Sequence, residues 1–207
     1  MNPTDALDIG RGFTIKNRSC LAAMTNKQSN DDGTLSEEEI TWLSRRAKGG
    51  FGITTTAAAN VVEKGRGWEG EMGVWGDHQL PGLTKLASQL NSHQTISLVQ
   101  LFHGGMRAPR EINDVQPISA SENTEAGMNG EYTREMTHDE IIGMVGSFTE
   151  AAVRCEKAGF HGVELHGAHS YLICQFLGAK TNRRTDEWGG DIHARSKFLR
   201  EIIKSIR

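Results

Sequence analysis

The chain has 207 residues, of which 37% are hydrophobic and 24% charged, and its formal net charge is −3. This length suffices for a substantial core, and a chain without blocks of like charge gives no reason to expect nucleic acid or a membrane surface as a partner. No apolar run approaches the roughly 18 residues of a transmembrane helix, and residues 1–10 lack the apolar stretch of a signal peptide. The three cysteines have no metal-type spacing, which favours reduced thiols and a cytoplasmic location.

A β-like run at residues 19–24 begins an alternation of strand and helix patterns. A polar loop follows. Ser36 and Glu39 then form a capping-box pattern, in which the serine oxygen accepts an amide of the first helical turn and the glutamate reaches back. Apolar residues at helical spacing continue to the pair Gly49-Gly50, which ends the predicted helix.

Further strand patterns follow, each leading towards a helix, at residues 51–56, 95–101 and 162–165. Between the third and fourth runs, the segment 102–136 predicts a long loop, and such loops are usually functional or unstructured. Thr137 with Glu140 forms a second capping box, which opens an amphipathic helix before the fourth run. A last helix is predicted over 196–207.

Strands that alternate with amphipathic helices predict an α/β fold with a parallel sheet, either doubly wound or closed into a barrel. The glycine-rich fingerprint of a dinucleotide fold does not follow the first strand, where the sequence reads Thr-Asn-Lys-Gln. Polar side chains instead follow all four strands, as a barrel active site requires. These residues are Thr25, Thr56, Gln100 with His103, and His166 with His169.

The most specific segment lies at residues 162–190, where H-x-x-H-x-Y precedes Gln-Phe-Leu and the turn N-x-R-T-D-x-x-G-G. Together with VQLFHGG at 99–105 and the residues around the first strand, it resembles the Old Yellow Enzyme family of FMN-dependent oxidoreductases. The resemblance covers nearly the whole chain. It implies an FMN-binding (β/α)₈ barrel domain. Residues 1–207 would form the N-terminal half of this domain, with strands one to four.

The resemblance implies a catalytic role for three residues of the fourth strand and its loop. His166 and His169 would bind the substrate carbonyl and polarise it, since donors aimed at developing negative charge are a large catalytic term. Tyr171 would donate a proton to the substrate, because a phenol stays protonated at neutral pH. Hydride would come from NADH or NADPH through FMN to a small-molecule alkene activated by a carbonyl.

The resemblance also implies a set of FMN contacts. The Gln100 amide would bind the pyrimidine edge of the flavin, to which it offers a donor and an acceptor. Thr25 would touch the flavin near its reactive nitrogen. The remaining members of this set are Ala23, Met24, Ala57 and His166, and for the first three ordinary packing accounts equally well for the residue types.

Several alternatives stay open. The pattern H-x-x-H with Glu164 could supply metal ligands, although no second cluster completes a set, so no metal is expected. Trp68, Trp75 and Phe102 could line a substrate mouth or simply pack. The activity could be dienoyl-thioester reduction or amine dehydrogenation, or the chain could be an inactive half-barrel, because strands five to eight and their phosphate-binding loops are not in it. Assembly into a homo-oligomer is also left open.

Overall fold

The computed structural model describes residues 2–124 and 132–207. The strands are β1 Leu7–Gly10, β2 Phe13–Ile15, β3 Cys20–Leu21, β4 Ile53–Asn60, β5 Met72–Gly73, β6 Ile96–Phe102, β7 Ile118–Ser119, β8 Arg134–Glu135 and β9 Gly162–Leu165. The helices are α1 Glu37–Lys48, α2 Leu80–Asn91, α3 Arg110–Asn113, α4 His138–Ala158, α5 Leu172–Leu177, α6 Ile192–Arg195 and α7 Lys197–Ile206. Among these residues no helix combines the length and apolarity needed to cross a membrane.

The main sheet has the strand order β3-β4-β6-β9, and β5 pairs with β4. β3 and β4 run parallel. Backbone bonds at both ends of the next two pairs show that these are parallel too: Ile96 N–H to Gly52 O and Val61 N–H to Phe102 O, then His161 N–H to Ser97 O and His166 N–H to Leu101 O. Parallel neighbours need a crossover connection, and helices lie in the connections between these strands. The predicted α/β alternation is therefore confirmed.

Contacts within the chain group its residues into two compact units. The first unit comprises residues up to 59 together with 70–100 and 154–164. Its core includes the apolar faces of α1 and α2, whose periodicity was readable from the sequence. The residues that are almost completely buried there are Ile40, Leu43, Ala47, Leu83, Leu86, Ala87 and Leu90.

The second unit comprises residues 60–69, the described part of 101–153, and 165–207. Its core includes aromatic side chains from three helices. Phe198 of α7 packs on Phe176 of α5 with ring centroids 4.5 Å apart, and the centroid of Phe198 lies 6.4 Å from that of Phe148 of α4. Trp188 is also fully buried. Each ring removes a large apolar area from water, so this cluster contributes strongly to the stability of the unit.

The strand boundaries differ most from the predicted ones in the first two strands of the main sheet. The first strand is only Cys20–Leu21 instead of 19–24, and the second extends to Asn60 instead of ending at 56. Ala57 therefore lies inside β4 and is buried there. Alanine and asparagine have weak strand propensity, but β4 has neighbouring strands on both sides, and this tertiary context overrides the local preference.

The two predicted capping boxes have different outcomes. At α4 the box is complete, since the Thr137 hydroxyl accepts the Glu140 amide and the Glu140 carboxylate accepts the Thr137 amide. At α1 only half of it forms, since Ser36 Oγ accepts the Glu39 amide but the Glu39 carboxylate turns elsewhere. The predicted loop 102–136 contains α3, β7 and β8, while its residues 125–131 lie outside the described part.

Candidate active site

The three predicted catalytic side chains lie together in the second unit. The ring centroids of His166 and Tyr171 are 4.8 Å apart and nearly perpendicular, at 87°. His169 lies 5.2 Å from His166 and 6.3 Å from Tyr171 by the same measure. Edge-to-face contact at these distances is favourable for aromatic rings. Two imidazoles and one phenol therefore form a single polar-aromatic cluster.

A tight turn between β9 and α5 brings these rings together. His169 and Ser170 have φ angles of 54° and 58°, in the left-handed region, and the Tyr171 amide donates to the Ala168 carbonyl at 3.1 Å. Tyr171 then precedes the first residue of α5. The chain thus reverses within four residues, and this reversal returns the Tyr171 ring to His166.

The protonation state of His166 follows from its contacts. Its Nδ1 accepts the Ala168 amide at 3.3 Å, which places the ring proton on Nε2. Burial lowers the pKa of His166, and the neighbouring His169 lowers it further. His166 is therefore a neutral imidazole at neutral pH, with its Nε2–H available as a hydrogen-bond donor.

Further side chains surround Tyr171, and sequence reasoning only partly identified them. Phe102 lies edge-on to the tyrosine ring at 4.5 Å, and Trp68 contacts Phe102 at 5.3 Å. The guanidinium carbon of Arg107 is 5.2 Å from the centroid of the Tyr171 ring. Arg107 was missed as a site residue, and its only signal was its place in the loop after the third strand. Trp75 belongs to the first unit, where it packs beside His78.

The first unit contains the predicted FMN contact Gln100. Its Nε2 donates to Glu164 Oε1 at 2.5 Å, from β6 to the neighbouring strand β9. Both side chains are half-buried. The Gln100 side-chain carbonyl accepts no hydrogen bond from a described residue, so the bond to Glu164 alone sets which way the amide faces.

The other predicted FMN contacts differ in exposure. Ala57 is buried within β4, Ala23 is half-buried, and Thr25 and Met24 are exposed, Met24 by 50%. Ala23, Met24 and Thr25 lie in the segment after β3, and Glu39 holds this segment from its C-terminal side. Glu39 is fully buried and accepts the Asn26 amide at 2.8 Å as well as the Ser29 hydroxyl. Burial raises the pKa of Glu39. No sequence signal distinguished this role from the predicted helix cap.

The metal alternative has little geometric support in the parts of the chain that the structure describes. Glu164, its proposed carboxylate ligand, accepts the Gln100 amide instead. Residues 2–124 and 132–207 contain no group of three or more histidine, cysteine, aspartate or glutamate side chains placed to hold a metal ion.

Residues 5–207 match the NADH:flavin oxidoreductase / NADH oxidase family. The chain belongs to this family. It is 39% identical over 95% of its length to a probable NADH-dependent flavin oxidoreductase of Bacillus subtilis, of which it covers 52%. It is 38% identical over 98% of its length to the NADH:acrylate oxidoreductase of Vibrio harveyi, of which it covers 20%. The chain thus spans about half, or less, of the length of these curated relatives.

Solved structures show the same relationship. A 2-naphthoyl-CoA reductase superposes on the whole chain with a TM-score of 0.95 and 32% identity, and the chain covers 33% of it. An old yellow enzyme homologue from Zymomonas mobilis superposes with a TM-score of 0.92 and 28% identity, and the chain covers 59% of it. These neighbours are (β/α)₈ barrels, so the predicted partial barrel and the resemblance to Old Yellow Enzymes are confirmed.

Proposed function

We propose that the chain contributes the substrate-binding and proton-donating part of an FMN-dependent reductase, which uses NADH or NADPH to reduce an alkene conjugated to a carbonyl. The observation that carries this proposal is the cluster of His166, His169 and Tyr171, which combines donors for an anionic oxygen with a proton donor. Membership in a flavin oxidoreductase family supports the redox assignment. The domain assignment of residues 1–207 to the N-terminal half of an FMN-binding barrel belongs to the same proposal.

The residues present fit a flavin. Gln100 has a side-chain carbonyl that accepts no bond from a described residue and an amide whose direction Glu164 sets. That carbonyl would accept the N–H of the pyrimidine edge, while Thr25, Ala23, Met24, Ala57 and His166 would supply the remaining contacts. Bound FMN would supply hydride transfer between a reduced nicotinamide and the substrate.

His166 and His169 would bind the carbonyl oxygen of the substrate. The neutral His166 ring presents Nε2–H. A donor already directed at the carbonyl oxygen stabilises the negative charge that develops there during the reaction. Removal of one such donor typically slows catalysis by about 100- to 1,000-fold. The two imidazoles would therefore lower the barrier for addition at the carbon β to the carbonyl.

Tyr171 would deliver the proton that completes the reduction. Its Oη–H would be donated to the α-carbon of the substrate, and solvent would restore the proton. Phe102 borders the ring and Trp68 packs against Phe102, so this apolar side would exclude water from the reacting carbon. A positioned general acid contributes about 100- to 10,000-fold to a rate.

The substrate class remains a proposal. The names of two similar proteins specify acyl compounds, acrylate and 2-naphthoyl-CoA, which both have unsaturation conjugated to a carboxyl carbonyl. The histidine pair suits either a carboxylate or a thioester oxygen. Thioester reduction is therefore the second candidate function. The cytoplasmic location and a homo-oligomeric state stay predictions.

Absorbance and phenol titration of the purified protein test the proposal. We expect flavin absorbance bands to stay with the protein after FMN is added and the unbound FMN is removed by gel filtration. A long-wavelength band should appear when a phenol binds, because a phenolate oxygen would accept from His166. In His166→Ala that band should be lost while the flavin bands persist. A protein that is colourless once unbound FMN has been removed would support the inactive half-barrel instead, and an unchanged phenol titration in the variant would remove His166 from the site.

A further inference from the structure

The turn that carries His169 is held in an unfavourable backbone conformation. His169 and Ser170 are consecutive non-glycine residues with positive φ, at 54° and 58°. L-residues avoid this region because the Cβ atom approaches the following carbonyl oxygen. Both residues are exposed, so burial of their side chains contributes little to holding the turn. The surrounding groups must therefore impose the conformation on the main chain.

Gln175 provides such a group. It lies on α5 and is completely buried. Its Nε2 donates to the Ser170 carbonyl at 2.6 Å and to the Gly104 carbonyl at 3.2 Å. A single amide thus joins the strained turn to the loop that follows β6.

The oxygen of the same side-chain amide also has two hydrogen-bond partners. Gln175 Oε1 accepts the Met106 amide at 3.1 Å and the Ser119 hydroxyl at 2.9 Å. Both N–H donors and both lone pairs are used, so a flipped amide would set its oxygen against two carbonyls and its NH₂ against two donors. Gly105, with φ of 59°, allows this approach, because a Cβ there would lie 2.4 Å from Gln175 Oε1. The four bonds therefore define one orientation.

Arg107 completes the support from the same loop. Its Nη1 donates to the His169 carbonyl at 2.9 Å. The carbonyls of both left-handed residues are consequently bonded, one to Arg107 and the other to Gln175. Neither bond involves the imidazole or the phenol, which stay directed into the cluster.

We propose that Gln175 is a positioning residue for the reaction. Through the Ser170 carbonyl it maintains the left-handed turn that presents His169 and Tyr171 to the substrate. This inference rests on the proposed function for the catalytic consequence, whereas the effect of Gln175 on the turn is independent of it. Loss of its donors should let the turn relax to ordinary backbone angles and displace both side chains.

The test uses Gln175→Met, which keeps an unbranched side chain of similar length but removes the two donors, alone and combined with Ser170→Gly. In the single variant we expect kcat to fall by about 100-fold, the effect of a displacement of about 1 Å, with a smaller change in KM. Hydrogen exchange of the Tyr171 amide, which is bonded to Ala168, should become faster. Glycine adopts positive φ readily, so the double variant should recover about tenfold in kcat.

Gln79→Met is the matched control. Gln79 is also buried, donates to the Asp32 carbonyl and accepts the Gly76 amide, so its loss should lower stability while Tyr171 exchange and kcat stay as in the wild type. Unchanged Tyr171 exchange in Gln175→Met would overturn the proposal, and so would a double variant no more active than the single one. If Tyr171→Phe kept full activity while Gln175→Met still accelerated exchange, the proposed function would fail and the role of Gln175 in holding the turn would stand.

Discussion

Gln100 and Glu164 form a hydrogen bond of 2.5 Å between neighbouring parallel strands, and this bond directs the glutamine amide. The partner is a carboxylate, and hydrogen bonds to charged groups are shorter and stronger than those between neutral groups. Glu164 stands two residues before His166, and it was considered only as a metal ligand at the level of sequence. Its bond to Gln100 instead links β9, which leads into His166, to the residue proposed to bind FMN.

Glu164→Leu should weaken FMN binding, because the Gln100 amide loses the partner that orients it. A hydrogen bond to a charged group contributes about 1.5–3 kcal/mol, so we expect the dissociation constant to rise by about tenfold or more. Glu164→Gln retains an acceptor oxygen and should have a smaller effect. Quenching of FMN fluorescence on titration with protein measures both variants. Equal affinities in the wild type and Glu164→Leu would show that the bond does not prepare Gln100 for the cofactor.

Tyr171→Phe should slow substrate reduction by about 100-fold or more, because it removes the proton donor and leaves the ring. Reduction of the flavin by NADH or NADPH should keep its rate, since that step needs no proton from the tyrosine. Rapid mixing of each half-reaction separates the two effects. Tyr132, the other tyrosine of the chain, is exposed, so Tyr132→Phe is the control and should leave both rates unchanged. A full rate of alkene reduction in Tyr171→Phe would exclude it as the acid.

Acid should destabilise the protein partly through His103. Burial lowers the pKa of this histidine from 6.5 to about 4. Between these values the unfolded chain binds a proton that the folded protein excludes, so the free energy of unfolding falls as pH falls below 6.5. From pH 7 to pH 5 this contributes a loss of about 2 kcal/mol.

His103→Asn removes that titration while its side-chain oxygen can still accept the Gly105 amide, as His103 Nδ1 does at 2.9 Å. Urea unfolding at both pH values should therefore show a smaller pH dependence in the variant than in the wild type. Identical dependence in the two proteins would mean that folding does not lower the pKa of His103.

Glu39→Leu should loosen the segment after β3. The half-buried Asn26 amide and the buried Ser29 hydroxyl would lose their acceptor, and an unsatisfied buried group costs about 1–3 kcal/mol. We expect a lower midpoint of urea unfolding and faster hydrogen exchange at residues 26–29. Glu38→Gln is the control, since Glu38 is exposed and bonds to Gln28 on the surface, where changes stay within about 0.5 kcal/mol. Similar losses in both variants would contradict the role assigned to Glu39.

Local sequence patterns were sufficient for much of this protein. The spacing in H-x-x-H-x-Y places His166, His169 and Tyr171 within one turn, so their proximity needs only short-range backbone geometry. The complete capping box of Thr137 and Glu140 is equally local. The alternation of strands and amphipathic helices predicted the parallel sheet, because hydrophobic periodicity reports directly which face of each element is buried.

Only the tertiary structure decided which distant groups meet. The register of β6 against β9 pairs Gln100 with Glu164. Packing of α5 on the loop after β6 and on β7, together with the turn before α5, gives Gln175 its four partners. The Glu39 carboxylate accepts the Asn26 amide and the Ser29 hydroxyl, which follow β3, instead of the cap amide predicted for it. Such contacts depend on strand register and on competition for partners across long sequence separations, and neither is expressed in a local pattern. The sequence by itself therefore determined the class of fold and the catalytic motif, and the folded chain determined how that motif is held.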